Sequence, residues 1–129
     1  MEEKISIINH TKGKLPSLPF VLIKNEILGK NYSLSIAFIT EAQSKKINNT
    51  YRKINKPTNI LSFPLTKTGG EILLCPALIK TQTKKFGRNF RELLGFLVIH
   101  GCLHLKGIEH GATMERSEEK YDQKYFSRH

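Results

Sequence analysis

Three of the chain's five histidines lie within the short stretch HGCLHLKGIEH, at positions 100, 104 and 110. His100 and His104 are four residues apart, and in a helix this spacing places both imidazoles on one face, about one turn apart. Gly107 follows, and a glycine at such a place commonly ends a helix in the left-handed conformation, which would return His110 toward the pair. The spacing predicts one metal ion held by His100, His104 and His110, whereas histidines that only pack or face solvent are the alternative interpretation.

Three nitrogen ligands and one open position are typical of a catalytic zinc site, because structural sites usually fill all four positions with protein ligands. Cys102 does not supply the fourth ligand, since it lies roughly 200° around the helix from His100 and is predicted to point into the core. Zinc lowers the pKa of water in an open position to about 7, which is the chemistry of a hydrolase. Metalloproteases of the His-Glu-x-x-His type have their base directly after the first histidine, where this chain has Gly101.

The elements that must position these histidines form an α+β pattern. Alternating or apolar runs predict strands at Lys4–Asn9, Ser33–Thr40, Asn59–Leu65 and Glu71–Cys75. Helical patterns cover Pro19–Gly29, Glu41–Lys53, Pro76–Lys84, Arg91–Lys106 and a last amphipathic segment. Thr40 and Thr113 are predicted N-caps, TKTGG a turn between two antiparallel strands, and Pro64 an edge or strand end. The chain is therefore predicted to form a small sheet backed by helices.

Length and composition predict one domain over residues 1–129, with a single hydrophobic core. The longest apolar stretch, Leu93–Leu105, is shorter than the roughly 20 residues that span a bilayer, so no membrane segment is expected. Cys75 and Cys102 form no C-x-x-C pair, and the N-terminus lacks the apolar core of a signal peptide. These features together favour a cytoplasmic protein.

The charge balance indicates an acidic partner. The 21 lysines and arginines exceed the 11 acidic residues, which gives a net charge of +10 and a pI near 9.8. Such a field attracts polyanions, and nucleic acid is the usual polyanion for a small basic domain. Membrane surfaces and simple solubility are the alternative explanations. Because the basic residues are spread along the chain, they favour a basic surface over a disordered tail.

The histidine stretch resembles the signature His-Gly-x-Leu-His-Leu-x-Gly-x-Asp-His of the YbeY family of bacterial endoribonucleases. Upstream, YRKINKPTNILSFP (Tyr51–Pro64) is similar to the family's Tyr-Arg, Pro-Thr-Asp/Asn and Leu-Ser-Phe-Pro elements, and GEILLCP (Gly70–Pro76) to its Gly-Asp-Ile strand. The chain differs by having Glu109 at the usual aspartate, which leaves the role of that carboxylate open. The resemblance implies a zincin-like fold with a mixed sheet, and a three-histidine metal site on a core helix and the following turn.

The resemblance also places Arg52 at the family's functionally important arginine. A planar guanidinium can hold two nonbridging oxygens of a phosphodiester as negative charge develops, whereas a lysine offers a point charge. Lys53 and Lys56 are weaker candidates for phosphate contacts. Tyr51 and Phe63 could stack on unpaired bases, but packing in the core is the favoured prediction for both aromatic rings.

The sequence therefore predicts a metal-dependent endoribonuclease that cuts single-stranded RNA. Zinc, one ion per chain, is the expected cofactor, although other divalent metals fit the same ligands. The resemblance implies ribosomal RNA and ribosomal particles as partners, with roles in ribosomal RNA maturation and ribosome quality control. The alternatives are a zincin-like metallopeptidase and a non-catalytic, RNA-binding ribosome assembly factor with a structural metal. The nucleophile, water or a 2′-hydroxyl, is left open.

Overall fold

The computed structural model describes residues 4–126. Its strands are β1 (Ile5–Asn9), β2 (Ser33–Phe38), β3 (Ile60–Thr66) and β4 (Gly69–Leu74). Its helices are α1 (Phe20–Ile27), α2 (Glu41–Arg52), α3 (Pro76–Thr81), α4 (Thr83–Phe86), α5 (Phe90–Leu105) and α6 (Ala112–Phe126). The sheet order is β1-β2-β4-β3, with β1, β2 and β4 parallel and β3 antiparallel to β4. This mixed sheet with helices confirms the predicted α+β class.

The sheet separates two hydrophobic cores of unequal size. The larger core joins one face of the sheet to α1 and α5, and its buried strand residues include Ile36, Phe38 and Ile72. The smaller core lies on the other face, where Leu61 and Leu73 pack with side chains that include Ile47 of α2. Neighbouring residues of one strand alternate between the two cores, as the pleat of a strand requires. Helix α2 therefore lies on the opposite face of the sheet from α1 and α5.

The hairpin of β3 and β4 confirms the predicted antiparallel pair, and Pro64 lies in the edge strand β3, beside a register irregularity. The predicted turn TKTGG was too long, because Gly69 and Gly70 already belong to β4. Close packing explains why position 70 is a glycine: a Cβ there would lie 2.4 Å from the hydroxyl oxygen of Tyr32.

The helix predicted over Pro76–Lys84 is divided at Gln82 into α3 and α4.

The prediction of Thr113 as an N-cap was wrong. Helix α6 already begins at Ala112, because the Gly111 carbonyl accepts the hydrogen bond from the Glu115 N–H at 3.0 Å. Among residues 4–126, no helix is long and apolar enough to cross a membrane.

Candidate active site

Helix α5 carries two of the three predicted ligands, and its ends are fixed by local chemistry. At its start, Asn89 accepts a hydrogen bond from the Glu92 N–H, and the Glu92 carboxylate accepts one from the Asn89 N–H. This reciprocal capping box satisfies two amide groups that a helix start would otherwise leave unpaired. Gly101 and Cys102 pack inward, so His100 and His104 lie on the part of the helix that leaves the core.

The turn after α5 brings the third histidine back, as the sequence predicted. Gly107 has φ +98°, a conformation that suits glycine, and its N–H donates to the His104 carbonyl at 3.0 Å. The next N–H, of Ile108, reaches the Leu103 carbonyl at 3.1 Å, and the Ile108 side chain packs against the main core. These two bonds form a Schellman motif, which reverses the chain direction and anchors the turn.

The three imidazole rings are neighbours in space. The ring of His110 stacks on that of His100, with centroids 5.3 Å apart, and lies 6.4 Å from that of His104. Burial lowers the pKa of His104 below its usual value, and the charges of His100, His110 and Arg52 act in the same direction. The neutral imidazole, which is the form that binds a metal, is therefore favoured at His104. An open groove of about 540 Å³ borders this cluster and is lined by His104, His110 and the turn between them.

The donor set has the chemistry of a site for zinc or a similar divalent ion, since neutral imidazole nitrogen suits such metals. Within residues 4–126, however, no three or more His, Cys, Asp or Glu side chains are arranged so that they could hold an ion. The structure thus brings the rings of His100, His104 and His110 together, and the metal site itself stays a prediction.

A carboxylate from α6 fixes the orientation of one imidazole. Glu118 Oε2 lies 2.6 Å from Nδ1 of His100, and both side chains are partly buried. This contact leaves Nε2 as the ring nitrogen that is available to a ligand. Sequence analysis missed this residue, because Glu118 is one of several acidic residues on a polar helix. Glu109, the carboxylate that the sequence singled out, is exposed and lines the groove.

Arg52 approaches the histidines from a different element, the last turn of α2. Helix α2 begins with the predicted cap, because Thr40 and Gln43 form a capping box. Buried polar groups along the helix hold it to the loop that follows it. The Ser44 hydroxyl donates to the Thr58 carbonyl at 2.7 Å, and the Asn48 amide donates to the Lys56 carbonyl at 2.9 Å. Arg52 is exposed at this anchored corner, close enough to contribute to the lowered pKa of His104.

The predicted core positions of Tyr51 and Phe63 are only partly correct. Phe63 is half-buried against the smaller core, but Tyr51 is 69% exposed, with the Phe63 ring as its aromatic neighbour. Packing against β3 therefore does not enclose the Tyr51 side chain, and the prediction of a core tyrosine was wrong. Lys53 and Lys56, the candidate phosphate contacts, are both exposed in the loop after α2.

Comparison with known proteins gives a consistent result. The family model described as endoribonuclease YbeY matches residues 5–127. The curated endoribonuclease YbeY of Thermotoga neapolitana is 32% identical over 94% of this chain and 84% of its own length. That of Pseudoalteromonas translucida is 39% identical over 60% of this chain, a match that spans 55% of that relative. The solution structure of TM1509 from Thermotoga maritima superposes with a TM-score of 0.64 at 28% identity, covering 92% of this chain and 87% of that one.

The chain has a mixed sheet with helices on both faces and a histidine cluster near an arginine at a helix end, and the proteins that it matches are endoribonucleases. The family model covers nearly all of the described residues, which identifies the family. The chain belongs to the endoribonuclease YbeY family.

Proposed function

We propose that this endoribonuclease cuts single-stranded RNA with the help of a divalent metal ion, most simply zinc, held by His100, His104 and His110. The observation that carries the proposal is the clustering of three imidazole rings at the end of α5 and the turn after it. Arg52, at the end of α2, is close enough to this cluster to lower the pKa of His104. When bound, the ion would supply a Lewis acid and lower the pKa of water.

Each residue of the candidate site has a distinct task in this proposal. Glu118 holds His100 by Nδ1, so that its Nε2 faces the ligand position. The lowered pKa of His104 keeps that imidazole neutral and able to bind metal near neutral pH. The planar fork of Arg52 binds two nonbridging oxygens of the phosphate and stabilises the negative charge that develops during cleavage. None of these tasks requires a general base between His100 and His104, which is where the His-Glu-x-x-His proteases have theirs.

An RNA substrate is favoured because the part of the chain around Arg52 is basic and contains no acidic residue. Residues 42–70, which include the end of α2 and all of β3, contain six basic side chains and no acidic one. These are Lys45, Lys46, Arg52, Lys53, Lys56 and Lys67. Single-stranded RNA is favoured over paired RNA because a flexible strand can bend its phosphates toward such side chains, whereas a paired A-form helix is stiff and keeps its bases stacked.

The resemblance of the motifs to the family supports ribosomal RNA as the substrate, and ribosomal RNA maturation and ribosome quality control as the pathway. We place the protein in the cytosol, because its net charge of +10 suits a nucleic-acid partner and its two cysteines are buried free thiols. Ribosomal particles, which display structured RNA with exposed single strands, are then the natural partners.

The test compares three substrates with one preparation of metal-loaded protein. An unpaired RNA, the same RNA annealed to its complement and an unstructured peptide are incubated with the wild-type chain and with His104→Ala. We expect cleavage of the unpaired RNA by the wild type, much slower cleavage of the duplex and none of the peptide. Cleavage of the peptide would favour a metallopeptidase. RNA binding without any cleavage would favour an assembly factor with a structural metal.

A further inference from the structure

The exposed tyrosine beside Arg52 forms a small aromatic surface with Phe63. The two ring centroids are 5.2 Å apart and the ring planes are tilted by 58°. Phe63 is itself packed on the smaller hydrophobic core, so that the lower ring is fixed by β3. Tyr51 rests on it with 69% of its surface exposed. A large planar ring is thus supported by a second ring and presented to solvent.

The location of this aromatic surface distinguishes it from other exposed apolar residues. Tyr51 directly precedes Arg52 in the last turn of α2, and Lys53 and Lys56 follow within five residues. The acidic residues nearest to Tyr51 in sequence are Glu41, at the far end of α2, and Glu71 of β4, which pairs with Phe63 across the hairpin. An exposed aromatic ring directly beside Arg52, with two lysines close behind it in sequence, complements a ligand with a flat face and a negative backbone.

We propose that Tyr51, supported by Phe63, is the stacking platform for one unpaired base of the RNA, next to the phosphate that Arg52 binds. This inference rests on the proposed function and adds to it a residue that positions the substrate. The strand would then pass around the edge of the sheet at β3, with a base on the α2 side and its phosphate directed toward the histidines on α5. Because every base has an aromatic face, the platform requires an unstacked base and reads little of its identity.

This platform explains a preference for single strands in physical terms. In a duplex each base is already stacked between its neighbours, so contact with Tyr51 would require unpairing and unstacking. In an unpaired segment that cost is small. Stacking of one base on an aromatic side chain changes affinity by about tenfold when the ring is removed.

The experiment is a cycle that combines changes in the protein with changes in the RNA. Dissociation constants are measured with chelator present, for a short unpaired RNA that carries a single abasic site at successive positions. At one position, we expect the abasic site to weaken wild-type binding about tenfold. With Tyr51→Ala, which itself binds about tenfold more weakly, the same abasic site should cause no further loss. Tyr51→Phe keeps the ring and should restore both the affinity and the effect of the abasic site.

Two further variants separate stacking from folding. Tyr51→Leu keeps apolar contact with Phe63 but has no planar ring, so it should melt close to the wild type and still lose the abasic effect. Phe86→Ala removes another exposed aromatic ring, in α4, and should leave RNA binding unchanged. The platform is disproved if Tyr51→Leu binds like the wild type, or if the two losses add at every position. Cleavage of unpaired RNA by the wild type alongside either result would leave the proposed function standing, whereas absence of both binding and cleavage would refute the two proposals together.

Discussion

Glu118 Oε2 lies 2.6 Å from Nδ1 of His100, although the two residues belong to different helices and are eighteen positions apart. The contact ties α6 to the face of α5 that carries the predicted metal ligands. It also assigns a task to the last helix of the described chain, whose sequence alone indicates only an amphipathic surface helix.

Glu118→Ala should weaken metal binding by about 10- to 100-fold, because the imidazole of His100 loses the partner that fixes its tautomer and orientation. Glu118→Gln retains a carbonyl acceptor and should cause a smaller loss. Metal affinity is measured by competition with a chelator of known affinity. Glu119→Ala, which removes the same charge at the exposed neighbouring residue, is the control. Equal affinities for Glu118→Ala and Glu119→Ala would contradict a positioning role.

Arg52→Lys should keep the fold, the metal and most of the RNA affinity, yet reduce turnover roughly a hundredfold, on the order of 3 kcal/mol of transition-state stabilisation. Lysine keeps the charge but cannot bind two phosphate oxygens in one plane. Single-turnover cleavage of an unpaired RNA is compared with the metal content and the melting temperature of the same sample. A raised KM with unchanged kcat would indicate a ground-state contact instead, and a lowered melting temperature a structural arginine.

Lys53 ends α2 with φ 61°, and within residues 4–126 it alone among non-glycine residues has a positive φ. A side chain in the left-handed region costs about 1 kcal/mol, so Lys53→Gly should stabilise the protein by up to that amount in chemical unfolding. The same substitution should weaken RNA binding and lower its salt dependence by about 0.7, the slope for one phosphate contact. Lys56→Gly serves as the control, since it removes an equal charge at a residue without positive φ and should not stabilise the fold.

Gly95 allows α6 to lie close against α5. A Cβ at this position would come within 2.2 to 2.6 Å of the Phe126 ring. Gly95→Ala should therefore lower the free energy of unfolding by about 2 kcal/mol, even though alanine favours a helix by about 1 kcal/mol over glycine. Adding Phe126→Leu should recover part of the loss, so that the two substitutions are non-additive. A Gly95→Ala protein as stable as the wild type would show that α6 does not pack as described.

Local chemistry made some features of the site predictable. The spacing of His100 and His104, the glycine turn at Gly107 and the Thr40 cap each depend on a few adjacent residues, and all three are found in the structure. The contacts that complete the site are long-range. Glu118 meets His100 only because α6 folds back along α5, and no local signal distinguishes it from Glu119.

The errors in the sequence predictions have similar causes. Thr113 was a reasonable cap by residue type, but the carbonyl of Gly111 starts the helix two residues earlier. A core position was predicted for Tyr51, yet its ring packs on the outside of the smaller core, against a Phe63 side chain that is itself only partly buried. In both cases, the residue type alone did not determine the structure: the backbone before Thr113 fixed the helix start, and the packing around Tyr51 fixed its exposure.

Metal content and RNA cleavage, measured on the same preparation, test the proposed function most directly. Metal-free protein is titrated with zinc while single-turnover cleavage of an unpaired RNA is followed, in parallel with His104→Ala. We predict that cleavage rises in proportion to bound metal, reaches its plateau at one ion per chain and disappears on chelation. His104→Ala should remain folded, bind little metal and cleave poorly. Full cleavage in the metal-free protein, or full metal occupancy in His104→Ala, would contradict the account.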